Sequence, residues 1–185
     1  MTESKSPGPW GRTEHSVSEL PRRVLLYGRD EALPEQRVLR AGPLTALLDA
    51  GDLRYIRVGD REILRRVYVA VRDRNWDTIA PRLSNLRIDQ QVNSFRVSYT
   101  CQHQRGEIDF VWNATITGDA HGQITFEMAG QARSTFWRNR IGICVLHPIR
   151  ECAGAHYVAV KADGSTQGGV FPRDISPHQP MQDLA

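Results

Sequence analysis

The chain has 185 residues and a mass of 20.9 kDa, enough for one domain with its own apolar core. Hydrophobic residues make up 40% and charged residues 24%, which excludes wholesale disorder. The longest apolar runs, Val67–Val71 and Ile141–Leu146, fall far short of the ~18 residues of a membrane helix, so no membrane partner is expected. An N-terminus without an apolar signal region and an odd number of cysteines, three, argue against a secreted disulfide framework; a reduced, cytoplasmic setting is the expectation. The net charge is +3, and all basic residues but Lys5 and Lys161 are arginine. Acids are interleaved with them throughout, as in Asp60-Arg61-Glu62 and Arg72-Asp73-Arg74, so no basic stripe for nucleic acid forms.

Residues 1–21 are rich in Ser, Pro and Gly and read as a flexible tail ahead of a domain over 22–185. From Val24 onward, short apolar runs alternate with turn signals every eight to twelve residues, the pattern of an all-β sandwich or barrel. A hairpin is predicted from Pro43–Leu48 and Leu53–Val58 around Asp49-Ala50-Gly51-Asp52, then a strand over Glu62–Arg72 after Gly59-Asp60. A polar loop, Asp73–Asp77, holds Trp76, and Pro81 rules out a central strand there.

The strongest periodicity follows. Phe95, Val97, Tyr99, Cys101 and His103 alternate with polar residues; so do Ile108, Phe110, Trp112, Ala114 and Ile116, and then Ile124, Phe126 and Met128. Period two on three successive runs predicts an antiparallel meander with one apolar face. Ile141–Leu146 is apolar at both parities and predicts a strand buried on both faces. Tyr157–Val160 is expected to pair around Ala162-Asp163-Gly164. The proline-rich end, with Pro172, Pro177 and Pro180, reads as a loop cut before its next element, so the sandwich is expected to be incomplete.

Chemistry-bearing motifs are sparse. Cys144, His147, Cys152 and His156 lie close in sequence, but their spacing fits no zinc knuckle, and no metal is assigned. No Gly-x-Ser-x-Gly elbow and no glycine-rich phosphate cradle occur, and no cofactor is expected. The polar face of the meander offers Asp109 and Asn113, with Glu127 on the next strand. Amides and carboxylates on such a face suit a polyhydroxylated ligand, although a plain solvated face has the same pattern. Two loop segments are denser: Arg72, Asp73, Arg74, Asn75 and Trp76, and then Arg138, Asn139 and Arg140. A buried Trp76 with its arginines paired to Asp73 would explain the first without a ligand.

The segments LRAGPL (Leu39–Leu44), LRRVYVAVRDRNW (Leu64–Trp76), RNRIGICVLHP (Arg138–Pro148) and ISPHQP (Ile175–Pro180) together resemble the N-terminal part of the D-apionate lactonase family. The resemblance implies an antiparallel β-sandwich similar to galactose mutarotase folds, followed in family members by a (β/α)₈ barrel. It implies the hydrolysis of D-apionolactone to D-apionate. If the catalytic groups lie on the barrel, in cis or on a neighbouring chain, this chain is inactive by itself. If they lie on the sandwich, His147, Arg140 and Glu127 are the candidates for base and oxyanion stabiliser. A non-catalytic carbohydrate-binding sandwich, with Trp76 or Trp112 as stacking platform, and a mutarotase-like sugar epimerase are the alternatives. A truncated sandwich would also self-associate through its open sheet edge.

Overall fold

The computed structural model describes residues 20–28, 30–32 and 35–174. The tail reading of residues 1–21 lies almost wholly outside them, as does the ISPHQP segment. Residues up to Pro34 form a unit of their own, in which Arg22–Tyr27 is a short helix, α1, rather than strand. Gly28 closes it in the left-handed region, its amide bonding to the Val24 carbonyl.

The remainder is all β. One sheet carries the order β1-β2-β3-β4-β9, from Gln36–Ala41, Leu44–Asp49, Asp52–Val58, Arg61–Asp73 and Arg138–Leu146. The other carries β5-β6-β7-β8, from Pro81–Gln90, Phe95–Arg105, Ile108–Gly118 and Ile124–Ala132. A one-turn helix, α2 (Ile149–Cys152), leads to a separate hairpin of β10 (His156–Val160) and β11 (Thr166–Val170). All pairings between strands are antiparallel. The two larger sheets enclose one core: Leu39, Ala46, Leu48, Leu53, Val67 and Val71 meet Val97, Tyr99, Phe110, Trp112 and Ile116. Each of the Leu, Val, Ile and Phe side chains among them contributes about 1.5–3 kcal/mol by leaving water. The chain is an all-β sandwich.

Period two is followed closely in β6 and β7, whose inward rows are buried from Phe95 to His103 and from Ile108 to Ile116. Tight two-residue turns match the twist of the strands: Ala50 and Gly51 both have positive φ between paired Asp49 and Asp52. On one side the layers are tied together by Gln90, whose side-chain amide donates to the Val38 carbonyl (2.9 Å) and accepts from Arg37 Nε (3.1 Å).

One expectation holds and one changes. Pro81 stands in no central strand: it begins β5, an edge strand, where a missing N–H is tolerated. Ile141–Leu146 is not buried on both faces. It belongs to β9, which among the described residues pairs only with β4 and leaves Ile143 and Val145 43% and 47% exposed. Their register partners Val69 and Val67 belong to or pack against the core, so the β9 row faces inward at an open edge.

Among the described residues two polar side chains are buried, Glu62 and His103, and His103 is the deeper, 1% exposed. Its Nδ1–H donates to the Ile79 carbonyl (2.8 Å), which leaves Nε2 to accept from Trp112 Nε1 (3.1 Å). Burial holds its pKa below the ordinary 6.5, against the pull of the Ile79 carbonyl. The unfolded chain therefore takes up this proton at a higher pH than the folded one. The His103 contribution is full above pH 6.5 and is lost as pH falls below it. Thermal melts at pH 7.5 and 5.5 are expected to differ more in the native chain than in His103→Gln, which cannot titrate; equal slopes would refute this.

Candidate functional site

The loop between β4 and Thr78 is built by its own first residue. Asp73 Oδ1 accepts from the amides of Asn75 (2.8 Å) and Asp77 (3.0 Å), and the Trp76 amide reaches back to the Asp73 carbonyl (3.1 Å). The second Asp73 oxygen takes an ion pair from Arg105, at the far end of β6. Partial desolvation pushes the Asp73 carboxyl up, but the two amides and the Arg105 guanidinium outweigh it and hold the pKa below the usual range.

This closure places Trp76 at φ 72°, a conformation that costs a non-glycine residue of order 1–3 kcal/mol. The indole is 54% exposed. Arg72 and Arg140 are register partners across β4 and β9, and both guanidiniums lie near the ring, 5.9 and 5.8 Å from its centroid. Arg72 Nη1 also donates to the Trp76 carbonyl (3.3 Å). Cation–π contacts of this kind are worth about 0.5–1 kcal/mol at exposed positions. The expectation of a buried Trp76 with arginines paired to Asp73 is thus replaced: the carboxylate serves the loop and Arg105, and the indole faces solvent over two arginines.

The other candidates are more dispersed. Arg74 and Asn75 are exposed at the loop tip. Arg138 pairs with Asp73 in register and lines a cavity of about 480 Å³ with Phe110, Ser134, Thr135, Phe136 and Ile141. Asp109 and Asn113 share the outer face of the four-stranded sheet, roughly 13 Å apart along β7. Their side chains are held by neighbours, Asp109 by Gln102 Nε2 (2.8 Å) and Asn113 by Thr100 Oγ1 (2.9 Å). Glu127 stands opposite Thr115 on that face.

His147, Arg140 and Glu127 are not brought together. Arg140 projects from the outer face of one sheet and Glu127 from the outer face of the other. His147 lies beyond the other end of β9, about 20 Å along the strand from Arg140, where its ring meets Phe171 at 5.2 Å. Cys101 is buried, its thiol pushed up to about 11 by desolvation, which keeps it protonated and unreactive at neutral pH. Among the described residues no group of three or more His, Cys, Asp or Glu could hold a metal, and no helix is long and apolar enough to cross a membrane. Sequence reasoning missed Arg105 as the partner of Asp73, because the two are 32 residues apart and meet only through strand pairing.

The fold and its loop define a two-sheet antiparallel β-sandwich that displays an exposed tryptophan beside two cross-strand arginines. The model of the D-apionate lactonase N-terminal domain matches residues 24–185, and the chain belongs to that family. It is 33% identical over 161 residues to a D-apionate lactonase of Brucella anthropi, a match covering 86% of this chain and 26% of the relative. The chain therefore spans about a quarter of the length of that curated relative. No solved structure matches the chain.

Proposed function

We propose that this chain is the N-terminal sandwich module of a D-apionate lactonase-like sugar-acid hydrolase, and that it does not open the lactone by itself. Hydrolysis of D-apionolactone to D-apionate requires a base to activate water and donors aimed at the tetrahedral oxyanion. The observation that carries the reading is the dispersal of His147, Arg140 and Glu127 over two outer faces and a strand end. The buried His103 has both ring nitrogens engaged in the core. In this reading the catalytic groups sit on a (β/α)₈ barrel, and the sandwich belongs with the galactose mutarotase-like folds. The half-exposed pair Ile143 and Val145 on the inward row of β9 is the surface that such a neighbour would cover.

The exposure of Trp76 favours a second, compatible reading, a carbohydrate-binding role for the module; Trp112, 3% exposed, is not available for it. The test is an assay of the 185-residue chain on D-apionolactone, beside a fusion that appends the part of the Brucella anthropi enzyme beyond the matched region. No turnover is expected from the chain and measurable turnover from the fusion. Turnover by the chain would overturn the proposal.

A further inference from the structure

We infer that the gap between the free edges of β8 and β9 is a binding site for a small apolar carboxylate, an aryl or short acyl acid. Its hydrocarbon body would lie among Phe110, Phe136 and Ile141, and its carboxylate on Arg138. The cavity there, about 480 Å³, falls within the roughly 300–1,000 Å³ of small-molecule sites.

The position follows from sheet order. Strand β8 ends the four-stranded sheet and β9 the five-stranded one. On the side of β1 and β5, Gln90 ties the layers together; on the side of β8 and β9, the connection over 133–137 crosses between them. Phe110 and Ala132 are register partners across β7 and β8, and Ile141 stands opposite Val71 across β9 and β4. Together with Phe136 they give the cavity apolar walls. Gly130 leaves room for the Phe110 ring, since a Cβ there would sit 2.4 Å from Phe110 Cζ.

The loop wall is held in place before any ligand arrives. Ser134 Oγ donates to the Glu107 carbonyl (2.7 Å) and accepts from the Asp109 amide (3.1 Å). The Arg133 amide donates to the Asp109 carbonyl (2.8 Å). A wall tied in this way lowers the ordering cost of binding. It also commits the Ser134 hydroxyl, so the polar side chains of the lining left to a ligand are Thr135 and Arg138.

Arg138 is exposed, and among the described residues no carboxylate pairs with it. The acid opposite it in register, Asp73, is held by Arg105 and by the amides of its own loop. A guanidinium without its acid, beside an apolar hollow, selects a ligand with hydrocarbon at one end and a carboxylate at the other. A polyol would surrender water to walls that return few hydrogen bonds. A neutral hydrocarbon would leave Arg138 unused.

The probes are 3-phenylpropionate and octanoate. In ¹³C-methyl NMR spectra of the full chain, the Ile141 δ1 methyl resonance, assigned by its loss in Ile141→Val, is expected to shift saturably with at least one of them at millimolar concentrations. The tighter of the two assigns the body as aryl or acyl. Two controls, 3-phenylpropanol (the same body without charge) and gluconate (the charge on a polyol), should bind at least tenfold more weakly. Arg138→Gln should weaken the acids at least tenfold and leave 3-phenylpropanol unchanged. Ala132→Leu, which enlarges a wall residue, should weaken acids and alcohol alike. The Ile116 δ1 methyl, buried in the core and roughly 20 Å along β7 from Phe110, should stay put and reports that each variant is folded. Should Ala132→Leu lose that signal, Arg138→Gln, at an exposed position, decides. The proposal is overturned if both acids leave Ile141 unmoved, if 3-phenylpropanol or gluconate binds as tightly as the acids, or if a folded variant binds the acids as the native chain does. Binding is read without turnover, so the result stands whether or not the chain opens the lactone.

Discussion

Trp112→Ala is expected to cost about 3–5 kcal/mol of folding stability, the range for removing a large aromatic from a packed core. Trp112 is 3% exposed and its ring meets Tyr99 edge-on at 5.4 Å. Its indole N–H is also the donor to His103 Nε2. Truncation therefore opens a cavity between the sheets and strips a buried imidazole of its donor, two penalties that arise together. Trp112→Phe separates them. Most of the volume is kept, while His103 Nε2 loses its indole donor, a loss worth about 1–3 kcal/mol. Urea unfolding of the two variants measures the difference, and an alanine variant within 1 kcal/mol of the native chain would show that Trp112 does not anchor the core. For a chain of this size the alanine loss corresponds to a fall of roughly 10 °C in Tm.

The second large effect is expected from Gly42→Ala, which should destabilise by about 2–4 kcal/mol. Gly42 lies in the β1–β2 turn at φ 52°, and a Cβ there would sit 2.3 Å from the Ala120 carbonyl oxygen in the β7–β8 turn. That atom is backbone and cannot swing aside. The Gly42 amide also donates to the Asn93 carbonyl (2.9 Å), so three turns meet at this point. Gly59→Ala is the control. Gly59 has almost the same φ, 55°, but open space where a Cβ would go, so the substitution incurs only the conformational strain, about 1 kcal/mol. The difference between the two denaturation midpoints, at unchanged m, measures the steric term. Equal midpoints would remove the turn–turn contact from the account of stability.

The meander was legible because β6 and β7 bury one face and leave the other to solvent, so parity survives for eleven residues in each strand. Strand β5 was not legible. Asn85 takes φ 55° at a bulge between Ser84 and Arg87, so Leu83 and Ile88, the residues that pack on the core, fall five apart and break period two. In β9 the apolar residues occupy both parities, which reads as double burial, yet burial depends on what lies across each face. There β9 has a neighbour on one side only, and its inward row is half open.

The candidate site was legible in its parts and not in its assembly. Arg72, Trp76 and Arg140 were each singled out for density of charge and aromatic character in a loop or strand start. Nothing in the linear order placed Arg140 beside Arg72, since the two are joined only by the β4–β9 pairing. Whether Trp76 is covered was equally undecidable, because alternation stops where the loop begins and the side-chain direction is set by the Asp73 hydrogen bonds.

By itself, the sequence determined the all-β class, the inward row of the meander, including His103 and Trp112, and the family. These rest on local periodicity and on recognisable wording, both readable without knowing which strands are neighbours. Tertiary structure alone decided that Asp73 belongs to Arg105, that two distant arginines share one indole, that β9 is an edge, and that His147, Arg140 and Glu127 stand apart. Each of those depends on contacts between residues far apart in the chain, and the strength and direction of such contacts are set by sheet order and register, which no local pattern encodes.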